Sequence, residues 1–159
     1  INVSNLSFSF IGYEKILKRI DFEANRGEIV LINGDIGSGK SLFFSLLLRM
    51  YHFEGSLTIN NSDGSIYSAY DIPKAQWRTI FGIVPQEVAI FNGSILDNII
   101  MDASVEEITY ARARQLFDLV FKHSCSNLPA GALTLIGQGG VKLSGGQAKL
   151  LGLARALFC

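Results

Sequence analysis

Residues 34–41 read GDIGSGKS: two glycines five positions apart, followed directly by Lys and Ser. An apolar run, EIVLIN (28–33), precedes this stretch, and a Leu- and Phe-rich segment (40–50) follows it. Strand, glycine loop, helix is the order in which backbone N–H groups can turn inward around a phosphate at the positive end of a helix. Gly34, Asp35, Ile36, Gly37, Ser38, Gly39, Lys40, Ser41 and Leu42 are therefore the candidate cradle. Lys40 is a flexible point charge within reach of the outer phosphates, and the Ser41 hydroxyl is a ligand type suited to Mg2+. A chain built around this unit is α/β, and kinases, GTPases, motors and helicases all satisfy it, so other residues must choose among them.

At 159 residues the chain suits one domain with a real core, and its formal net charge of zero provides no global field for nucleic acid. Cys125 and Cys159 are too few for a disulfide framework and read as reduced thiols. No apolar run approaches the ~18 residues of a membrane span, and the first residues lack a signal-peptide pattern. Yet mean hydropathy is +0.30 and only 18% of residues are charged, which is apolar for a soluble domain. Strands are expected at 3–10 (with one register wobble), 16–24, 28–33, 55–59, 65–67 and 80–84, with an Asp63-Gly64 turn. Helices are expected at 40–50, 73–78, 94–99, 104–121 (Ser104 as cap, Glu107 completing a capping box) and from Ser144 onward. Phe43, Phe44 and Met50 are expected in the core, as are Leu150 or Leu151, Ala154 and Leu157 of the last helix. His52 and His123 have no evident partner in sequence.

Two further stretches narrow the choice. FGIVPQE places Gln86 at the end of a short apolar strand, where ligands gather in open α/β sheets. Its amide can ligate Mg2+ or orient a water; a Pro-Gln pair alone is also an ordinary turn. LSGGQ (143–147) opens the last helix with Ser144 as N-cap and two glycines that leave N–H groups accessible. One chain thus carries two anion-facing turns.

GDIGSGKS, VPQ and LSGGQ, in this order and spacing, resemble the Walker A loop, Q-loop and signature of the nucleotide-binding domain of ATP-binding-cassette (ABC) transporters, over essentially all 159 residues. WRTIFGIVPQEVAIFNGSILDNI (77–99) and LIGQGGVKLSGGQ (135–147) are similar to the exporter type, with Gln138 where a Glu is usual. The resemblance implies a P-loop NTPase core with an antiparallel β subdomain and a helical signature subdomain. The expected division is 1–86 for the β subdomain and Walker A core and 87–159 for the helical part. It implies ATP and Mg2+ as ligands, Lys40 and Gln86 as catalytic groups, and Ser41 and Gln86 at the metal. Phe10 stands where an aromatic stacks on adenine, with Tyr13 as a rival. Ser144, Gly145, Gly146 and Gln147 are implied to close over nucleotide held by a second such domain, head to tail. The remaining implied partners are transmembrane domains, with no nucleic acid, at the cytoplasmic face of a membrane, the bacterial inner membrane by expectation.

The family pattern continues beyond LSGGQ into an apolar strand ending in Asp, a catalytic Glu and a switch His; the 159 residues end before these. The chain is thus expected to be C-terminally incomplete as a domain, with segments 28–33 and 80–84 lacking sheet neighbours, and inactive in hydrolysis by itself. Two other classes remain: a non-hydrolytic nucleotide-binding module, and a DNA-repair ATPase of the same superfamily, against which stands the lack of heptads or clustered cysteines.

Overall fold

In the computed structural model, which describes residues 1–101 and 107–158, the first strand carries the register wobble its sequence predicts. Strand β1 (Asn2–Phe8) buries Val3 and Leu6, an odd and an even position, so an extra residue must intervene. Asn5 is that residue: its φ is 52°, and its N–H leaves the ladder to donate to Asp21 Oδ1 at 2.8 Å. A second irregularity lies at Arg19 (φ 51°) in β2 (Leu17–Glu23), whose N–H donates to the buried Ser7 hydroxyl at 2.9 Å. With β3 (Glu54–Asn60) and β4 (Ile66–Ser68) these form an antiparallel sheet in the order β2-β1-β3-β4. Gly55 (φ +102°) lies where a Cβ would come within 2.6 Å of the Ser4 and Asn5 carbonyl oxygens.

The chain forms two compact units, Ile1–Ile80 and Phe81–Cys159. In the first, helix α1 (Lys40–Leu47) buries Phe43, Leu46 and Leu47, spaced as one helical face. Helix α2 (Lys74–Thr79), with Pro73 as its N-cap, buries Trp77 completely, and the indole N–H donates to the Leu47 carbonyl at 2.7 Å. Phe44 and Met50 are half exposed rather than in the core: Phe44 lies off that face, and Met50 follows the end of the helix.

In the second unit β5 (Gly93–Ser94) leads directly into helix α3 (Ile95–Ile100) and pairs with β6 (Leu135–Ile136) from later in the chain. Ser94 and Asp97 form a complete capping box at the α3 N-terminus. Helices α4 (Glu107–Val120) and α5 (Gly145–Phe158) complete a core of Ile95, Ile99, Phe117, Phe121, Ile136, Leu151 and Ala154, among others. The Ser104 cap expected for α4 lies outside the described residues. Leu157 is 46% exposed, so the α5 core face is Leu151 and Ala154 without it.

Residues 28–33 and 80–84 are not strands. A buried strand needs a place in a sheet, and neither segment belongs to either sheet of the described residues; Ile29 and Leu31 stand 98% and 86% exposed. No described helix is long and apolar enough to cross a membrane.

Gly55→Ala combines a strained φ with a carbonyl clash and is expected to lower stability by about 2–4 kcal/mol in urea titrations.

Candidate functional site

In the first unit the 34–41 loop delivers the chain into α1 through Gly39, in the left-handed conformation (φ 91°) as the N-cap. A Cβ there would also lie 2.9 Å from Leu17 Cδ2, so both backbone and packing demand glycine. The first helical N–H to find a partner is that of Phe43, donating to the Gly39 carbonyl at 2.8 Å. The N–H groups of Lys40, Ser41 and Leu42 precede it and have no partner within the helix. Lys40 Nζ folds over the loop, donating to the carbonyls of Gly34 (2.5 Å) and Asp35 (2.6 Å). Its positive charge therefore sits at the N-terminus of α1, where it adds to the helix dipole.

Phe10, Ile16 and residues 37–42 line one open depression of about 340 Å³. The sequence leaves Phe10 and Tyr13 as rivals; of the two, only Phe10 lines this depression, while Tyr13 is 76% exposed. The Phe10 ring is braced edge-on by Phe8 (5.0 Å) and by Tyr51 (5.7 Å). Asp35 and Ile36 form the exposed outer arc of the loop. Ser41, the second residue of α1, is exposed beside Lys40. A neutral hydroxyl of this kind fits Mg2+ that arrives with phosphate oxygens and waters; the described residues hold no cluster of three or more His, Cys, Asp or Glu.

In the second unit, Ser144 caps α5 by a reciprocal exchange. Its N–H donates to Gln147 Oε1 at 2.9 Å, and its hydroxyl accepts the Gln147 N–H at 3.2 Å. Ser144, Gly145 and Gly146 are exposed, whereas Gln147 is 6% exposed. The Gln147 amide also donates to the Ser124 carbonyl (2.9 Å) and to Asn127 Oδ1 (2.6 Å). Ser124, Ser126, Asn127, Ser144, Gly146, Gln147 and Leu150 surround a polar depression of about 500 Å³. None of these carries a charge.

Gln86 is exposed, and its segment is gripped through its main chain. Lys149 of α5 donates to the carbonyls of Pro85 (2.9 Å) and Gln86. Arg155 donates to the carbonyls of Ala89 (2.6 Å) and Asn98 (2.6 Å) and to Asn98 Oδ1 (2.9 Å), and lies over the Phe91 ring at 5.5 Å. Burial lowers the Arg155 pKa, yet a guanidinium stays charged at neutral pH. Asn98, 1% exposed, pairs with both the N–H and the carbonyl of Phe91 at 2.8 Å, as a neighbouring strand would. The exposed loop around Gln138 is tied in as well, its N–H donating to Asn92 Oδ1 at 2.6 Å. Lys149, Arg155, Asn98 and Asn127 are absent from the sequence-derived site; an Arg on an otherwise small and apolar helix face was the available signal for one of them.

Residues 17–159 match the family model for ABC transporters. The chain belongs to the ABC transporter family. Across 99% of its length it is 35% identical to heavy metal tolerance factor 1 of Caenorhabditis elegans and 38% identical to the mitochondrial iron-sulfur clusters transporter ATM1 of Candida glabrata. It covers 19% and 21% of those proteins, so it spans about a fifth of their length. The solved structure of a bacterial Atm1-family ABC exporter with ATP bound superposes with a TM-score of 0.75 at 32% identity, over 99% of this chain and 27% of that one. The fold is thus that of an ABC nucleotide-binding domain of exporter type, mixed α/β with an antiparallel sheet.

Arg155→Met leaves the Ala89 and Asn98 carbonyls without this donor and leaves Asn98 Oδ1 with the Phe91 N–H alone. It should lower the stability of this ABC domain by about 2–4 kcal/mol, read by denaturant titration.

Proposed function

We propose that this chain binds ATP with Mg2+ through residues 34–42 and is the motor domain of an ABC exporter. Adenine stacks on Phe10, Lys40 holds the outer phosphates, and Ser41 and Gln86 ligate the metal, with Gln86 also placed to orient the attacking water. The observation that carries the reading is the difference between the two turns. One has a lysine at a helix N-terminus and a depression with an aromatic wall; the other offers a hydroxyl and N–H groups, with no cation among the residues that line its depression. A turn without charge is a poor site for free ATP, whose phosphates carry several negative charges. It suits a γ-phosphate already neutralised by Lys40 and Mg2+ of another copy. The signature turn is accordingly half of a site completed by a second nucleotide-binding domain packed head to tail.

Hydrolysis in the complete domain requires carboxylates to position metal and water, in addition to this cradle. A polypeptide of residues 1–159 alone is therefore expected to bind nucleotide and not to turn it over. Opening and closing of the pair would move transmembrane domains at the cytoplasmic face of a membrane, through the segments around Gln86 and Gln138. The relatives named for heavy-metal tolerance and for iron–sulfur cluster transport are about equally similar to this chain, so likeness in this domain follows the motor and not the cargo.

In the full-length polypeptide, Lys40→Ala should weaken ATP binding by about tenfold to a hundredfold. Ser144→Ala and Gly145→Asp should leave ATP affinity of the single copy unchanged while weakening the ATP-dependent dimer, read by light scattering. No heavy atom lies within 4 Å of a Cβ at Gly145, so the aspartate acts by its charge and not by its bulk. Loss of single-copy ATP binding in Ser144→Ala would sink the shared-site reading, and ATP binding without turnover by the full-length protein would favour a non-hydrolytic module.

A further inference from the structure

We infer that Asn127 is a positioning residue for the signature turn, acting through Gln147. The inference rests on the reading that Ser144–Gly146 faces a partner's nucleotide. It starts from the amide of Gln147, which has no spare donor for a phosphate oxygen: Nε2 donates to the Ser124 carbonyl and to Asn127 Oδ1, and Oε1, an acceptor, takes the Ser144 N–H. At 6% exposure, turning that amide outward would break three hydrogen bonds. Gln147 is therefore a strut and not a nucleotide contact.

What the strut holds is a turn with little packing of its own. Gly145 and Gly146 carry no side chain that packing could lock, and no heavy atom stands within 4 Å of a Cβ at Gly145. The directions of their N–H groups follow from the pose of Ser144 and the first turn of α5. That pose is referred, through Gln147, to the loop after α4. The loop is itself firmly set: Ser124 N–H donates to the Phe121 carbonyl at 2.7 Å, Leu128 N–H to the Cys125 carbonyl at 2.9 Å, and Phe121 and Leu128 are buried. Of the two groups that receive Nε2, Ser124 offers main chain, which any residue there would supply. Asn127 offers a side chain at 2.6 Å, so the identity of residue 127 decides whether the strut has its second anchor. Donors meant for a phosphate oxygen must be held to within about half an ångström to act, which gives one hydrogen bond at this distance a functional effect.

Two substitutions in the full-length protein separate positioning from fold. Asn127→Leu keeps the branching at Cγ and removes the acceptor; Asn127→Asp keeps an acceptor. Without nucleotide, amide hydrogen exchange at Ser144 and Gln147 should be about tenfold faster in Asn127→Leu and close to unsubstituted in Asn127→Asp. At about 0.3 M salt, where the added charge is screened, the ATP concentration for half-maximal pairing should rise about tenfold in Asn127→Leu and be restored in Asn127→Asp. ATP affinity of the single copy and the thermal midpoint should hold. Unchanged exchange at Ser144 overturns the strut. Faster exchange with unchanged pairing overturns the positioning role, as does an equal loss of single-copy ATP binding. If the unsubstituted protein forms no ATP-dependent pair, the shared-site reading fails instead, and the exchange rates still decide the strut.

Discussion

Every α-helix begins with N–H groups that the helix cannot satisfy, and this domain is organised around two such beginnings. At α1 the orphan donors are joined by Lys40, and the left-handed Gly39 aims the loop back over them. At α5 they are joined by the Ser144 hydroxyl, and no cation lines the depression beside it. The two helix starts are the same device with different electrostatics, one with an ammonium folded over it and one without. Much of the rest of each unit serves to present these starts: the bulged sheet and buried Trp77 behind α1, the α3–α4 core behind α5.

The parts legible in the sequence were those where local chemistry leaves few choices. Gly34–Ser41 marks a glycine loop opening a helix, alternation marked β1 and even its wobble, and a helix was expected from residue 94. The α5 N-terminus was equally plain from Ser144 and two glycines. What escaped was tertiary. Nothing in residues 84–92 states that Lys149, Arg155 and Asn98 will hold their main chain, because the partners lie up to 66 positions away. The hydrogen bonds of the buried Gln147 amide to Ser124 and Asn127, 23 and 20 positions away, were equally hidden. The pairing of Gly93–Ser94 with Leu135–Ile136 escaped because two-residue strands leave no periodicity to read.

The apolar segments 28–33 and 80–84 failed as strands for a related reason. A hydrophobic run records that a strand expects cover on both faces, but the hydrogen bonds that make it a strand belong to its neighbours.

The grip on the Gln86 segment has an evolutionary side. Lys149 and Arg155 hold carbonyl oxygens at Pro85, Gln86 and Ala89, and every amino acid carries a carbonyl. A fastening of that kind is blind to side-chain identity. Mutation can exchange the group displayed at position 86, from amide to carboxylate or alcohol, while the backbone beneath it keeps its place. The chemistry shown at this turn is free to drift without the scaffold having to be redesigned.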